Sequence, residues 1–143
     1  MHTPGEEPAP RPLRVLLIED DDAMRAMLAD AFRHEGWDVT ECENVFGWLQ
    51  HCVNDFAEDS GSGTNSYDVV VSDICMPGMS GLEVMAMLQD MYSAAACPPT
   101  ILITAFGDDE THHHARALGA AEVLDKPFDT NDLIDTVREV VRL

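Results

Sequence analysis

Short apolar runs separated by stretches of helical spacing constrain this chain more than anything else in it. Leu13-Arg14-Val15-Leu16-Leu17-Ile18, Asp68-Val69-Val70-Val71-Ser72 and Thr100-Ile101-Leu102-Ile103-Thr104 read as buried strands. Between the first two, Met24, Met27, Leu28, Ala31 and Phe32 recur at helical spacing, and Gly36 ends that helix. Trp37 to Cys42 alternates like a second strand, and a helix follows from about Asn44 through Val45, Trp48, Leu49 and Cys52. Leu82, Met85, Leu88 and Met91 mark a third helix. A fourth runs near Asp109 to Leu118 with Gly119 as its C′ residue, and a short strand follows around Ala121 to Leu124. A last helix from Thr130 places Leu133, Val137, Val140 and Val141 on one face. Each parallel crossover needs a helix, so five strands alternating with five helices predict an α/β, doubly wound parallel sheet with helices on both faces.

The rest of the chain is punctuation. Residues 1–12 carry Pro4, Pro8, Pro10 and Pro12 among mostly polar residues and read as a disordered leader, with one domain over 13–143. The Gly/Ser-rich stretch 59–66 reads as a flexible connector. With 27 acidic against 8 basic side chains the formal charge is −19, which argues against direct binding of nucleic acid. Cys42, Cys52, Cys75 and Cys97 form no C-x-x-C pair and follow no secretory signal, so reduced, mostly buried thiols in a cytoplasmic protein are expected, and zinc is not. No apolar run approaches a membrane span.

The chemistry gathers where strands end. The first strand opens directly onto Glu19-Asp20-Asp21-Asp22. Asp21 or Asp22 suits the N-cap of the helix that follows, and Glu19 and Asp20 remain at the strand tip as hard oxygen donors of the kind Mg²⁺ uses. Asp73 closes the third strand just before a Pro77-Gly78 loop, Thr104 closes the fourth, and Lys126 lies just past the fifth. In open α/β sheets ligands bind at that edge. A carboxylate there can attack phosphorus to form an acyl phosphate, provided the repulsion between anions is offset. An acidic metal pair, an ammonium and a hydroxyl supply the means.

Val15-Leu16-Leu17-Ile18-Glu19-Asp20-Asp21, Ser72-Asp73-Ile74-Cys75-Met76-Pro77-Gly78-Met79-Ser80-Gly81, Ile103-Thr104-Ala105 and Leu124-Asp125-Lys126-Pro127-Phe128 together resemble the receiver domain of two-component response regulators, over roughly Arg14 to Leu143. The resemblance implies a flavodoxin-like sheet in the order 2-1-3-4-5 and a phosphorylation-activated signalling switch rather than an enzyme. Asp73 would be the phosphoacceptor, served by a sensor histidine kinase or a histidine phosphotransfer protein. Glu19, Asp20, Asp73 and the main-chain carbonyl of Cys75 would bind Mg²⁺, and Thr104 and Lys126 would hold the phosphoryl group. The Lys126-Pro127 bond would be cis. The face made by the fourth helix, fifth strand and fifth helix would serve homodimer formation or a downstream target or output domain.

Departures from the family sharpen these expectations. Glu19 stands where many members have Asp. Val123 stands where the family often has an aromatic ring that follows the threonine inward, so output is expected to leave through Thr104 and the loop after it, including Phe106. The acidic surface offers no element for reading DNA. His112, His113 and His114 fan out by about 100° each on a helix and cannot chelate one metal together. An aspartate-nucleophile phosphatase would want a carboxylate two residues past Asp73, where Cys75 stands. A nucleotide or flavin module would want an anion-binding loop where Glu19 to Asp22 lie. The remaining rival is a non-phosphorylated pseudo-receiver acting as a protein-binding scaffold, which intact Asp73, Thr104 and Lys126 oppose.

Overall fold

A computed structural model describes residues 11–58, 67–75, 78–91, 98–105 and 107–141. Its elements are β1 (Arg14–Ile18), α1 (Asp22–His34), β2 (Asp38–Cys42), α2 (Val45–Glu58), β3 (Val69–Asp73), α3 (Gly81–Met91), β4 (Thr100–Thr104), α4 (Asp109–Ala117), β5 (Glu122–Asp125) and α5 (Thr130–Val141). The strands form one parallel sheet in the order β2-β1-β3-β4-β5, as the alternation and the resemblance together lead one to expect.

Alternation within each buried strand divides the core into two layers. Val15 and Leu17 of β1, Val69 and Val71 of β3, and Ile101 and Ile103 of β4 face one way, against Leu28, Ala29 and Phe32 of α1 and Leu133, Ile134 and Val137 of α5. Leu16, Ile18, Val70, Leu102 and Val123 face the other way, against Val45 and Trp48 of α2, Val84, Met85 and Leu88 of α3, and Ala115 of α4. These side chains are nearly all inaccessible to water. Burying a Leu, Val or Phe contributes roughly 1.5–3 kcal/mol each, so the two layers fix which way every strand faces.

Local chemistry sets the helix starts at the site edge. The Asp21 side chain accepts from the Met24 N–H at 2.9 Å, and the Asp108 side chain from the Thr111 N–H at 2.7 Å. The Ser80 hydroxyl oxygen accepts from the Glu83 N–H at the start of α3. Gly119 follows α4 with φ +98°, the left-handed conformation expected of a C′ residue. Gly81 is needed for space: a Cβ there would meet the Asp73 carbonyl at 3.0 Å. At the opposite edge Arg11 pairs in bidentate fashion with Asp68, with hydrogen bonds of 2.8 and 3.0 Å. The connector 59–66 and Phe106 lie outside the described residues.

Candidate functional site

Strand register carries the acidic residues to one place. Ile18 of β1 pairs with Ser72 of β3, so Glu19 and Asp73, one residue further on, stand side by side. Asp73 pairs with Ile103 of β4, which puts Thr104 one step beyond it, and Thr104 pairs with Asp125 of β5, which puts Lys126 one step beyond that. The site is thus a diagonal across the C-terminal ends of four adjacent elements of chain.

Glu19, Asp73 and Thr104 are buried, at 3%, 5% and 1% exposure, whereas Asp20 faces solvent. One carboxylate oxygen from each of Glu19, Asp20 and Asp73 lies within 4.8 Å of the others. Lys126, the chain's only lysine, brings Nζ to 2.6 Å from Asp73 Oδ2 and 3.4 Å from Glu19 Oε1. The other Asp73 oxygen, Oδ1, accepts from the Cys75 N–H at 3.0 Å. The Thr104 carbonyl accepts from the Lys126 N–H at 2.8 Å, which ties the tips of β4 and β5 together. The Lys126-Pro127 peptide is cis.

Crowding of like charge shows in the protonation equilibria. Burial, then the charge of Asp73, raises the Glu19 carboxyl to about 7, although Lys126 works in the other direction. Burial tends to lower the Lys126 pKa, but the hydrogen bond and charge of Asp73, followed by those of Glu19, outweigh it and hold the ammonium above its ordinary value. Three carboxylate oxygens in reach of one another, one of them open to water, suit a hard divalent cation, and such a cation would relieve the repulsion that raises Glu19.

The structure therefore brings together Glu19, Asp20, Asp73 and Lys126, with Thr104 buried at the end of the neighbouring strand. Val123 is buried opposite Leu102, inside the layer formed with α4. Cys75 is exposed on the loop after β3 with its N–H turned toward Asp73, and Cys42 is buried; both are free, and the side chains of Cys52 and Cys97 lie outside the described residues. Two participants escape sequence reasoning. Arg25 reaches back from α1 to the Glu19 carbonyl at 2.8 Å, and His112 Nε2 meets Asp125 Oδ1 at 2.7 Å. The first looks in sequence like an ordinary surface arginine, one of two in the helix after the acidic run. The second carried no signal beyond a histidine triplet.

Residues 15–138 match the family described as response regulator receiver domain. The chain belongs to that family. This receiver domain is 34% identical over 130 residues to the regulatory protein AtoC of Escherichia coli (strain K12), covering 91% of this chain and 25% of AtoC. It is 36% identical over 129 residues to the transcriptional regulatory protein FixJ of Azorhizobium caulinodans, covering 90% of this chain and 55% of FixJ. The receiver domain thus spans between a quarter and about half the length of these curated relatives. Among solved structures, FixJ-N superimposes with a TM-score of 0.73 at 25% identity, over 91% of this chain and 94% of that one. The receiver domain of Francisella response regulator 1452 does so with a TM-score of 0.76 at 25% identity, over 91% and 97%. No helix among the described residues is long and apolar enough to cross a membrane.

Proposed function

We propose that this receiver domain is a phosphorylation-activated switch in which Asp73 is the phosphoacceptor. The observation that carries the reading is the Asp73 carboxylate itself, 5% exposed at a strand tip, with two further carboxylates on one side and the Lys126 ammonium 2.6 Å away. A carboxylate oxygen of Asp73 attacks the phosphorus of a phosphohistidine on a sensor histidine kinase or a phosphotransfer protein. The new O–P bond forms as the P–N bond breaks, and the donor imidazole leaves with the electron pair. Glu19, Asp20, Asp73 and the main-chain carbonyl of Cys75 would hold Mg²⁺, which when bound offsets the repulsion between the carboxylate and the incoming phosphoryl oxygens.

Residues of the chain do the rest. Lys126 transfers its ion pair from Asp73 to the phosphoryl group, and the Thr104 hydroxyl donates to the same group. Those contacts exist only in the phosphorylated form, so they shift the equilibrium between two conformations. Val123 is too small to relay the change as an aromatic ring would. Output therefore leaves through Thr104, the loop that contains Phe106, and α4, toward a face made by α4, β5 and α5. That face engages a downstream protein, an output domain or a second copy of the chain. Hydrolysis of the acyl phosphate resets the switch slowly.

The charge of −19 supports a protein target over direct contact with nucleic acid, and the free thiols support a cytoplasmic setting. Residues 13–143 form the switch, with Arg11 just before them paired to Asp68 at its edge. Incubation with Mg²⁺ and acetyl phosphate should add one phosphoryl group by mass to the wild type and none to Asp73→Asn. If the wild type gains no mass under conditions that label a known receiver, the scaffold reading replaces this one.

A further inference from the structure

Beyond Ile18 the β1 ladder has ended, yet both main-chain polar groups of Glu19 are held. Its N–H donates to the Cys42 carbonyl at 3.0 Å, at the end of β2. Its carbonyl accepts from Arg25 Nη1 at 2.8 Å. The same guanidinium donates through Nη2 to Asp22 Oδ1 at 2.7 Å, and its Nε lies 3.6 Å from Glu41 Oε1 on β2. The Arg25 side chain is only 17% exposed, so the fork is fixed in its plane by two carboxylates from different elements while its remaining donor points at Glu19.

We propose that Arg25 is a positioning residue for the divalent-cation site, and that it acts by fixing the Glu19 carbonyl. This rests on the metal reading given above. Glu19 carries one more rotatable bond than aspartate would, so the point and direction from which its side chain leaves the backbone decide whether its carboxylate stays within reach of Asp20 and Asp73. The peptide held by Arg25 joins Glu19 to Asp20, and thus governs the aim of both. Lysine cannot replace arginine here, because an ammonium is a point donor and cannot span the Glu19 carbonyl and the Asp22 carboxylate in one rigid fork.

Electrostatics alone makes the opposite prediction, and that makes the idea testable. A guanidinium close to a cation site repels a dication, so its removal should tighten binding if charge were its whole contribution. Titration of the metal-free full chain with MgCl₂ by calorimetry should instead show binding weakened about tenfold in Arg25→Met, and weakened to a comparable degree in Arg25→Lys, which keeps the charge. Amide hydrogen exchange in the metal-free protein should quicken at residues 19–22 in both variants and stay unchanged at Leu28 to Phe32. Equal or tighter Mg²⁺ binding in Arg25→Met, or wild-type binding in Arg25→Lys, overturns the proposal. So does faster exchange spread evenly along α1, which would mark a merely structural arginine. If Arg25→Met does not fold, Arg25→Lys decides alone. A wild type that binds no Mg²⁺ overturns the metal reading and this proposal with it, while localised exchange would still report the hold on Glu19.

Discussion

The Asp125 carboxylate lies across the backbone of Gly107 and bonds His112 on α4, Oδ1 to Nε2 at 2.7 Å. A Cβ built on Gly107 would sit 1.7 Å from that same oxygen. The Asp125 carboxylate occupies the space that a Cβ on Gly107 would take, and its bond to His112 ties the tip of β5 to α4. Lys126 is the next residue along, so this tie sits between the proposed phosphoryl clamp and the proposed output helix.

Gly107→Ala should push the Asp125 carboxylate off His112, and because that carboxylate is the movable end of a half-exposed side chain the loss of stability should be small, up to about 1 kcal/mol. In an Asp125→Ala background, where that contact is already gone, Gly107→Ala should cost less than in the wild type. A double-mutant cycle in denaturant reads the coupling directly. Additive effects of the two substitutions would show that Gly107 and Asp125 do not share this space. Amide shifts along α4 should follow the His112 contact, changing in Gly107→Ala and in Asp125→Ala alike.

Lys126 is the cation that faces both Asp73 and Glu19. In Lys126→Met those carboxylates lose it while remaining buried, so the metal-free protein should lose about 2 kcal/mol at pH 8 and clearly less at pH 5.5, where Glu19 takes up a proton. Mg²⁺ should restore much of the loss at pH 8, and should bind the variant at least as tightly as the wild type. Urea midpoints with EDTA and with Mg²⁺ test this. A loss equal at both pH values would mean that the ionisation of Glu19 does not govern what Lys126 contributes.

How much of this could be read from residues alone depends on whether one segment carries the signal. The strand ends could, since Val69-Val70-Val71 and Ile101-Leu102-Ile103 are apolar at every position and then stop at Asp73 and Thr104. The alternation of strands and helices gave the parallel sheet, but periodicity says nothing about neighbours, and the order 2-1-3-4-5 came from the family resemblance. Side-chain aim was hidden altogether. Arg25 looks like an ordinary surface arginine until β1 and β2 bring the Glu19 carbonyl and Glu41 to it, and Asp125 looks like a solvated acid until β4 lays Gly107 beneath it.

At the far edge of the sheet Asp68 accepts two hydrogen bonds from Arg11 and one from the Arg14 N–H. Burial works to raise its pKa, but the hydrogen bonds from Arg11 and Arg14 prevail and hold it at about 2. A depressed carboxyl stabilises the fold above its unfolded value, near 4, and that contribution fades as pH falls through about 2. Asp68→Asn should therefore lower stability by roughly 1–2 kcal/mol at pH 7, with the gap to the wild type closing in acid. Arg11→Ala should have a smaller effect that shrinks further in high salt, because that side chain is 59% exposed. A pH-independent deficit in Asp68→Asn would count against the ion pair as its cause.

Glu19 reverses the sign. Its carboxyl is raised from 4.5 to about 7 in the metal-free fold, so the folded state holds a proton that the unfolded chain has already released. The resulting stabilisation is complete below about 4.5 and is lost as pH climbs through about 7. Between pH 5 and 8 the denaturant midpoint of the metal-free wild type should thus fall relative to that of Glu19→Gln, which cannot titrate. Mg²⁺ requires the ionised carboxylate, so its affinity should rise with pH up to about 7 and level off above it, with proton release on binding in the lower range. Calorimetry in two buffers of different ionisation enthalpy counts those protons. A wild type and a Glu19→Gln variant with parallel pH profiles, and no proton release at pH 6, would mean that Glu19 is ionised throughout and that the crowding at Asp73 is already relieved without metal.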